Sequence, residues 1–209
     1  MTTIAKVGSH HEIVPYITPY EEQTVPLPLV CRWTAEGLRL TYIDANAEDW
    51  MFGVLWARMS VTPGATPMMS MVHTLLQRRC MLERVCRVCG QSAADPDDPA
   101  RTWWILPAAP TDGRMLDSWT TAHAPTCKDH VRLALARCPH LRTGTPILYT
   151  VGHYWSSGVL ANLYAPLGNG VVETHHQVPI ALEEFQRLNL ALATQLIVTM
   201  QDLRPASVP

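Results

Sequence analysis

Two short cysteine motifs constrain what this 209-residue chain can fold into more than any other feature. Cys86-Arg87-Val88-Cys89-Gly90 has the form of a zinc knuckle. A tight turn aims two thiolates at one ion, and the glycine lets the backbone close around them. Thirty-seven residues separate Cys89 from Cys127, which opens Cys127-Lys128-Asp129-His130. Pro125-Thr126 leads into a helix expected to reach about Ala136, and Thr126 with Asp129 has capping-box spacing. Cys127 and His130, three apart in its first turn, then face one side, and the positive helix end favours the Cys127 thiolate. Cys86, Cys89, Cys127 and His130 are therefore the expected ligands of one Zn2+, which accepts mixed Cys/His tetrahedral sites. Four protein ligands close the shell, so the expected role is structural. His123 and Cys138 are the substitutes. At the far end of the helix Cys138 lies about 16 Å from Cys127, and packing is its expected role.

The six cysteines, at 31, 80, 86, 89, 127 and 138, point the same way. No apolar stretch of signal-peptide length follows Met1, and His10-His11-Glu12 comes soon after. The uncharged span 188–201 contains Asn189, Thr194, Gln195 and Thr199 and is shorter than the roughly 20 apolar residues of a membrane span. The expectation is a soluble, cytoplasmic chain, where close cysteine pairs more often hold metal than form disulfides. Cys31 and Cys80, in apolar surroundings, read as buried small hydrophobes.

Composition (47% hydrophobic, 16% charged, formal net charge −2) excludes a disordered chain and one that coats phosphate with its whole surface. The charge is uneven. Residues 1–77 carry 4 basic and 7 acidic side chains, 78–142 carry 10 and 7, and 143–209 carry 2 and 4. The middle third is thus net +3 between acidic flanks. Three segments follow: 1–85, β-rich and ending in a helix; 86–142, the metal module; and 143–209, three strands and a helix. The outer two can also be one domain.

In the first third, 27–33 and 38–42 read as a hairpin about Glu36-Gly37, and 51–57 as a buried strand. After the break at Pro63-Gly64, residues 68–85 have amphipathic helical spacing. In the last third, 147–154 and 159–164 read as strands flanking Trp155-Ser156-Ser157-Gly158. Gly168-Asn169-Gly170 reads as a turn and 171–178 as a third strand. Leu182, Phe185, Leu188, Leu192, Leu196, Met200 and Leu203 recur every three or four residues and predict a helix ending at Arg204-Pro205. Both outer thirds therefore read β-β-β-α. An internal duplication accounts for this, and so does the general likeness of hairpins. The expected fold class is α+β: two β-β-β-α segments with the zinc module between them.

Knuckle, hairpin (102–106 with 118–123) and a second pair on a helix are the parts of a treble-clef zinc finger in order, and 86–142 resembles one. That resemblance implies a scaffold that often binds nucleic acid or protein, with no reaction. The whole chain also resembles an uncharacterised actinobacterial family, through Arg78-Arg79-Cys80-Met81, Cys86 to Gly90 and Cys138-Pro139-His140. That family implies no function, and Cys more often at the position of His130.

Other constellations leave alternatives open. Arg78, Arg79, Arg84 and Arg87 lead into the knuckle, and with Trp103 and Trp104 they are candidates for contacting a nucleic acid or protein partner. One of the adjacent tryptophans is expected to face outward. The bland reading of the arginines is a solvated helix surface paired with local acids. His153, His175 and Glu173 are candidates for a catalytic pocket on the last strands. The opposing reading is exposed or hydrogen-bonded strand histidines, since their spacing matches no known ligand set. No glycine-rich phosphate loop or Gly-x-Ser-x-Gly elbow occurs. The expectation is a non-catalytic, zinc-binding regulatory or binding module. The alternatives are an enzyme with structural zinc and a structural subunit of a larger assembly, including a homo-oligomer.

Overall fold

The computed structural model of the chain describes residues 13–62, 64–107, 118–142, 144–168 and 170–209, without the side chains of Pro139 and His140. The expectations placed on His10-His11, Pro63, the Pro/Gly loop at 108–117, Asn169 and His140 lie outside the described residues. The chain is a mixed α+β protein built mostly of strands. Three units come from the first third: the hairpin β1 (Leu29–Thr34) and β2 (Gly37–Tyr42), the short hairpin β3 (Trp50–Met51) and β4 (Val54–Trp56), and helix α1 (Thr74–Glu83). The middle third supplies β5 (Thr102–Leu106), β6 (Ser118–Thr121), α2 (Val131–Arg137) and α3 (Pro139–Arg142). The last third supplies β7 (Ile147–Leu167), β8 (Gly170–Ala181), the one-turn helix α4 (Phe185–Leu188) and β9 (Ala191–Ala206).

Strands from all three segments share one seven-stranded sheet, in the order β3-β4-β9-β7-β5, with β6 also on β9 and β8 also on β7. β1 and β2 form a separate two-stranded sheet. The outer thirds are thus not copies of each other: one contributes a detached hairpin and two short strands, the other the spine of the main sheet.

The helix expected over most of 182–204 is the correction with most consequence. Only Phe185–Leu188 is helical, and Ala191–Ala206 is the central strand. Its partners explain the misleading spacing. Leu160 pairs with Gln195 but Ala161 with Ala193, so Thr194 is an extra residue in the ladder. This bulge lets Ala193 and Leu196, three apart, face the same core. Asp202 at φ +53 lies in a second three-residue step, from Met200 to Leu203. A bulged strand therefore imitates helical periodicity, while Thr194, Ile197, Val198 and Thr199 fit the extended chain. Likewise the strands expected separately at 147–154 and 159–164 are one continuous β7 with a bulge between Ser156 and Gly158. Gly158 is required there, because a Cβ would lie 2.7 Å from the Ile180 carbonyl oxygen.

β9 bonds β4 through Leu192 and Ala193, and β6 through Val198 to Gln201. Among the described residues the edge between them has no strand partner, and the buried side chain of Gln77 on α1 fills it. Its Nε2 donates to Leu196 O (3.0 Å) and Ala122 O (2.9 Å), and its Oε1 accepts from Leu196 N–H (2.9 Å). One side-chain amide thus replaces a strand residue and pins α1 to the sheet. His73 caps α1: its Nδ1 accepts from Leu76 N–H at 3.4 Å, and its Nε2 lies 3.0 Å from Ser60 O. Fully buried, its imidazole is pushed below the usual pKa by desolvation.

Two outcomes follow. Gln77→Met leaves three buried backbone groups without partners, and with about 1 kcal/mol or more for each it should destabilise the protein by about 3 kcal/mol in denaturant unfolding. His73 carries a depressed pKa in the fold, so its contribution is fully present above the unfolded value of 6.5 and is lost as pH falls below it. Unfolding free energies between pH 7 and 5 should decline less steeply in His73→Gln than in the native chain.

Candidate metal centre

The knuckle forms as α1 ends. Arg84 adopts the left-handed conformation (φ +58) and its guanidinium donates to Thr102 Oγ1 and to the carbonyls of Pro99, Ala100 and Arg101. The chain then turns tightly, with Gly90 N–H donating to Cys86 O at 2.7 Å and Cys86 N–H to Gln91 O at 2.6 Å. Gly90 has φ +70, and a Cβ there would lie 2.9 Å from the Tyr16 ring. The knuckle is held from two sides. Tyr16 and Ile17 N–H donate to Val88 and Arg87 carbonyls, and Arg87 N–H donates to Pro125 O at 2.8 Å. That last bond brings up the second pair, because Thr126 N–H is fixed to Trp103 O at 3.1 Å.

The ligand atoms of Cys86, Cys89, Cys127 and His130 all lie within 4.8 Å of one another. Cys89 Sγ and Cys127 Sγ are 3.9 Å apart, and Cys127 Sγ and His130 Nδ1 are 3.1 Å apart. A tetrahedral zinc site, with Zn–S near 2.3 Å, has edges of about 3.7 Å, so the cluster has the right size for an ion such as zinc. Its electrostatics fit too. Cys86 is lowered to about 5 by the hydrogen bond from Cys127 and by backbone donors, while Cys127 is raised by the same bond and by burial. Desolvation raises Cys89. Three thiols this close cannot all ionise on their own, and a dication reverses that balance.

The local route to this geometry differs from expectation. Residues Lys128–His130 form a 3-10 turn ahead of α2, and the buried Thr126 hydroxyl has no hydrogen-bond partner among the described residues, so the capping box is not made. Nor do the two strands of the middle third form a hairpin: β5 pairs with β7 and β6 with β9, placing two strands between them. Cys138 packs against the apolar cluster that holds Cys86 and Cys127, and neither it nor His123 joins the ligand group.

Both tryptophans are buried, contrary to the expected outward one. Trp104 faces the main core, while Trp103 lies with Ile105, Cys86 and Cys127 on the metal side, beneath Lys128. Nor do the four arginines make one exposed face. Arg78 stacks at 4.6 Å on Trp56, Arg84 is the tie described above, and Arg87 is half-buried with Nη2 unpartnered. Arg79 is exposed and paired with Glu83. Arg101 is buried and joins β7 to β9 through Thr150 and Asp202.

His153, His175 and Glu173 are not brought together. His153 lies opposite Gln201 and His175 opposite Leu163, about 30 Å apart along β7 at the strand rise. All three are exposed. Two bulges in β8 turn Glu173 toward His176 (2.8 Å), with Tyr164 and Asn162 donating to its other oxygen. The shallow cleft at His153, about 350 Å³, is lined by α1 and β7 and does not reach His175. Tyr16, whose ring closes over Gly90, carries no local sequence signal because it lies some 70 residues away.

Comparison with protein-family models, curated proteins and solved structures finds no match to this chain. None of the described helices is long and apolar enough to cross a membrane. The geometry yields one expected outcome. Gly90→Ala, strained at positive φ by about 1 kcal/mol and pressed on Tyr16, should lower thermal stability and weaken metal uptake together, read by calorimetry and chelator competition.

Proposed function

We propose that the chain is a cytoplasmic zinc-binding protein whose single Zn2+, held by Cys86, Cys89, Cys127 and His130, is structural. In this reading it works as a non-catalytic binding or regulatory module for a protein partner. The observation that carries it is the convergence of three thiols and an imidazole from two distant segments onto one ion-sized cluster. Soft sulfur donors with one imidazole favour zinc over magnesium or calcium, and four protein ligands leave no vacant catalytic position. Six free cysteines are in keeping with a reducing compartment.

A protein partner is favoured over nucleic acid, because three of the four knuckle-proximal arginines are engaged or turned inward. The large side chains most open to a partner are Trp33 and Phe185, 81% and 71% exposed. They also keep the assembly-subunit reading alive, and a clean monomer at high concentration would count against it.

Protein purified under reducing conditions and never exposed to chelator should carry one zinc per chain by elemental analysis. Cys127→Ala should carry far less and melt earlier. A native chain without metal would overturn the reading, and a salt-sensitive shift on DNA or RNA would overturn the choice of a protein partner.

A further inference from the structure

The four ligands are not held alike. Cys86 Sγ accepts from Val88 N–H at 3.3 Å and also from backbone donors at Cys89 and Cys127. The Cys86 sulfur is thus held by the backbone, as a fixed thiolate ligand should be. The His130 ring has no such support. A metal-bound histidine usually donates its second ring N–H to a carboxylate or carbonyl, which fixes its orientation. Among the described residues, His130 makes one ring hydrogen bond, from Nδ1 to the neighbouring ligand Cys127. It is also half-exposed, and its backbone (φ −101, ψ 2) sits at the joint between the 3-10 turn and α2.

A second observation concerns charge. Three thiolates and a neutral imidazole around a dication leave one net negative charge. Arg87, inside the knuckle, is half-buried, has Nη2 buried without a hydrogen-bond partner, and acts on the thiols of Cys138, Cys86 and Cys80. No carboxylate pairs with it among the described residues, whereas Arg58, Arg79, Arg101 and Arg187 each have one. The net negative charge of the loaded centre would supply the counter-charge that Arg87 otherwise lacks.

We propose that His130 is an exchangeable ligand and that a small thiol takes its place on the metal as a thiolate. The inference rests on the zinc reading above and concerns how that site is regulated. In the exchange the bond from the metal to His130 breaks, a metal–sulfur bond forms, and the thiol proton passes to solvent. Nothing is oxidised or reduced. The three cysteines keep the ion and its structural role, while the fourth position reports the presence of small thiols on the exposed side. Sulfur is the natural incoming atom, since the remaining shell is entirely thiolate.

The test uses the full chain loaded with Co2+, whose sulfur-to-metal charge-transfer absorption counts bound thiolates, titrated with 2-mercaptoethanol. The native chain should gain about a third in that absorption as three sulfurs become four, with the tetrahedral bands and the metal retained. His130→Ala should bind the metal and take up the thiol at lower concentration, and His130→Cys should start with the four-sulfur spectrum and not respond. A native spectrum that stays unchanged where His130→Ala saturates would overturn the proposal. So would loss of the metal to the thiol, or a His130→Ala chain unable to hold metal. If the native chain takes up neither Co2+ nor Zn2+, the metal reading itself is what fails.

Discussion

The strand β5 is buried on both faces, and the rest of the structure depends on that double burial. Trp104 and Leu106 point into the main core, where the Trp104 ring meets Tyr154 edge-on at 5.0 Å and donates to His123 O. Trp103 and Ile105 point the other way, into the smaller cluster around Cys86 and Cys127. One edge of β5 is bonded to β7. The other receives the metal module: Trp103 N–H reaches Ala93 O just beyond the knuckle, and Trp103 O accepts from Thr126 just before Cys127. Five residues therefore fix both halves of the metal centre against the sheet. Burial of two adjacent tryptophans on opposite faces stabilises both layers at once.

This arrangement explains why the Cys/His cluster was legible in the sequence and much of the fold was not. A Cys-x-x-Cys-Gly turn and a Cys-x-x-His turn are local: spacing of three residues sets which side chains converge, whatever strands surround them. The β1–β2 hairpin and the core of α1 were legible for the same reason. What failed was periodicity read across register breaks. The bulge at Thr194 gives β9 a three-residue step between core positions, and the bulge at Ser157 resembles a turn. In β8, bulges move Glu173 from His175 to His176, which no alternation rule anticipates. The Trp103-Trp104 pair misled differently, because a strand in one sheet has an outward face only if nothing covers it. Here the metal module does.

Long-range polar ties were invisible for a further reason. Gln77 has no motif, yet its amide completes the β9 edge 119 residues away. Arg84 reads as a basic helix residue, but its guanidinium gathers three carbonyls of the loop before β5. Charge counted along the chain suggested a basic module. Arg84 and Arg101 are drawn into interior ties, so the charge counted along the chain is not all presented to solvent.

The two apolar layers also differ in what holds them. The main cluster is the larger one, drawn chiefly from β4, β5, β7, β9 and α1 and including Trp56, Trp104, Leu106, Leu196 and Met200, and hydrophobic burial can sustain it. The metal-side cluster is smaller and has two cysteine ligands, Val88, Ala93 and Ala134 among its members. Its buried thiols are mutually unfavourable when ionised, and a cation held between them would tie the knuckle to the start of α2. Such a cross-link closes a loop of 38 residues, which by the chain-entropy account for cross-links corresponds to about 4 kcal/mol. On that reading, loss of the ion would loosen the knuckle, Tyr16 and the start of α2 first, while the backbone ladder between β5 and β7 remains. The knuckle and the start of α2 are thereby the part of the molecule where an added tie between distant segments would count most, while the main core is held by burial.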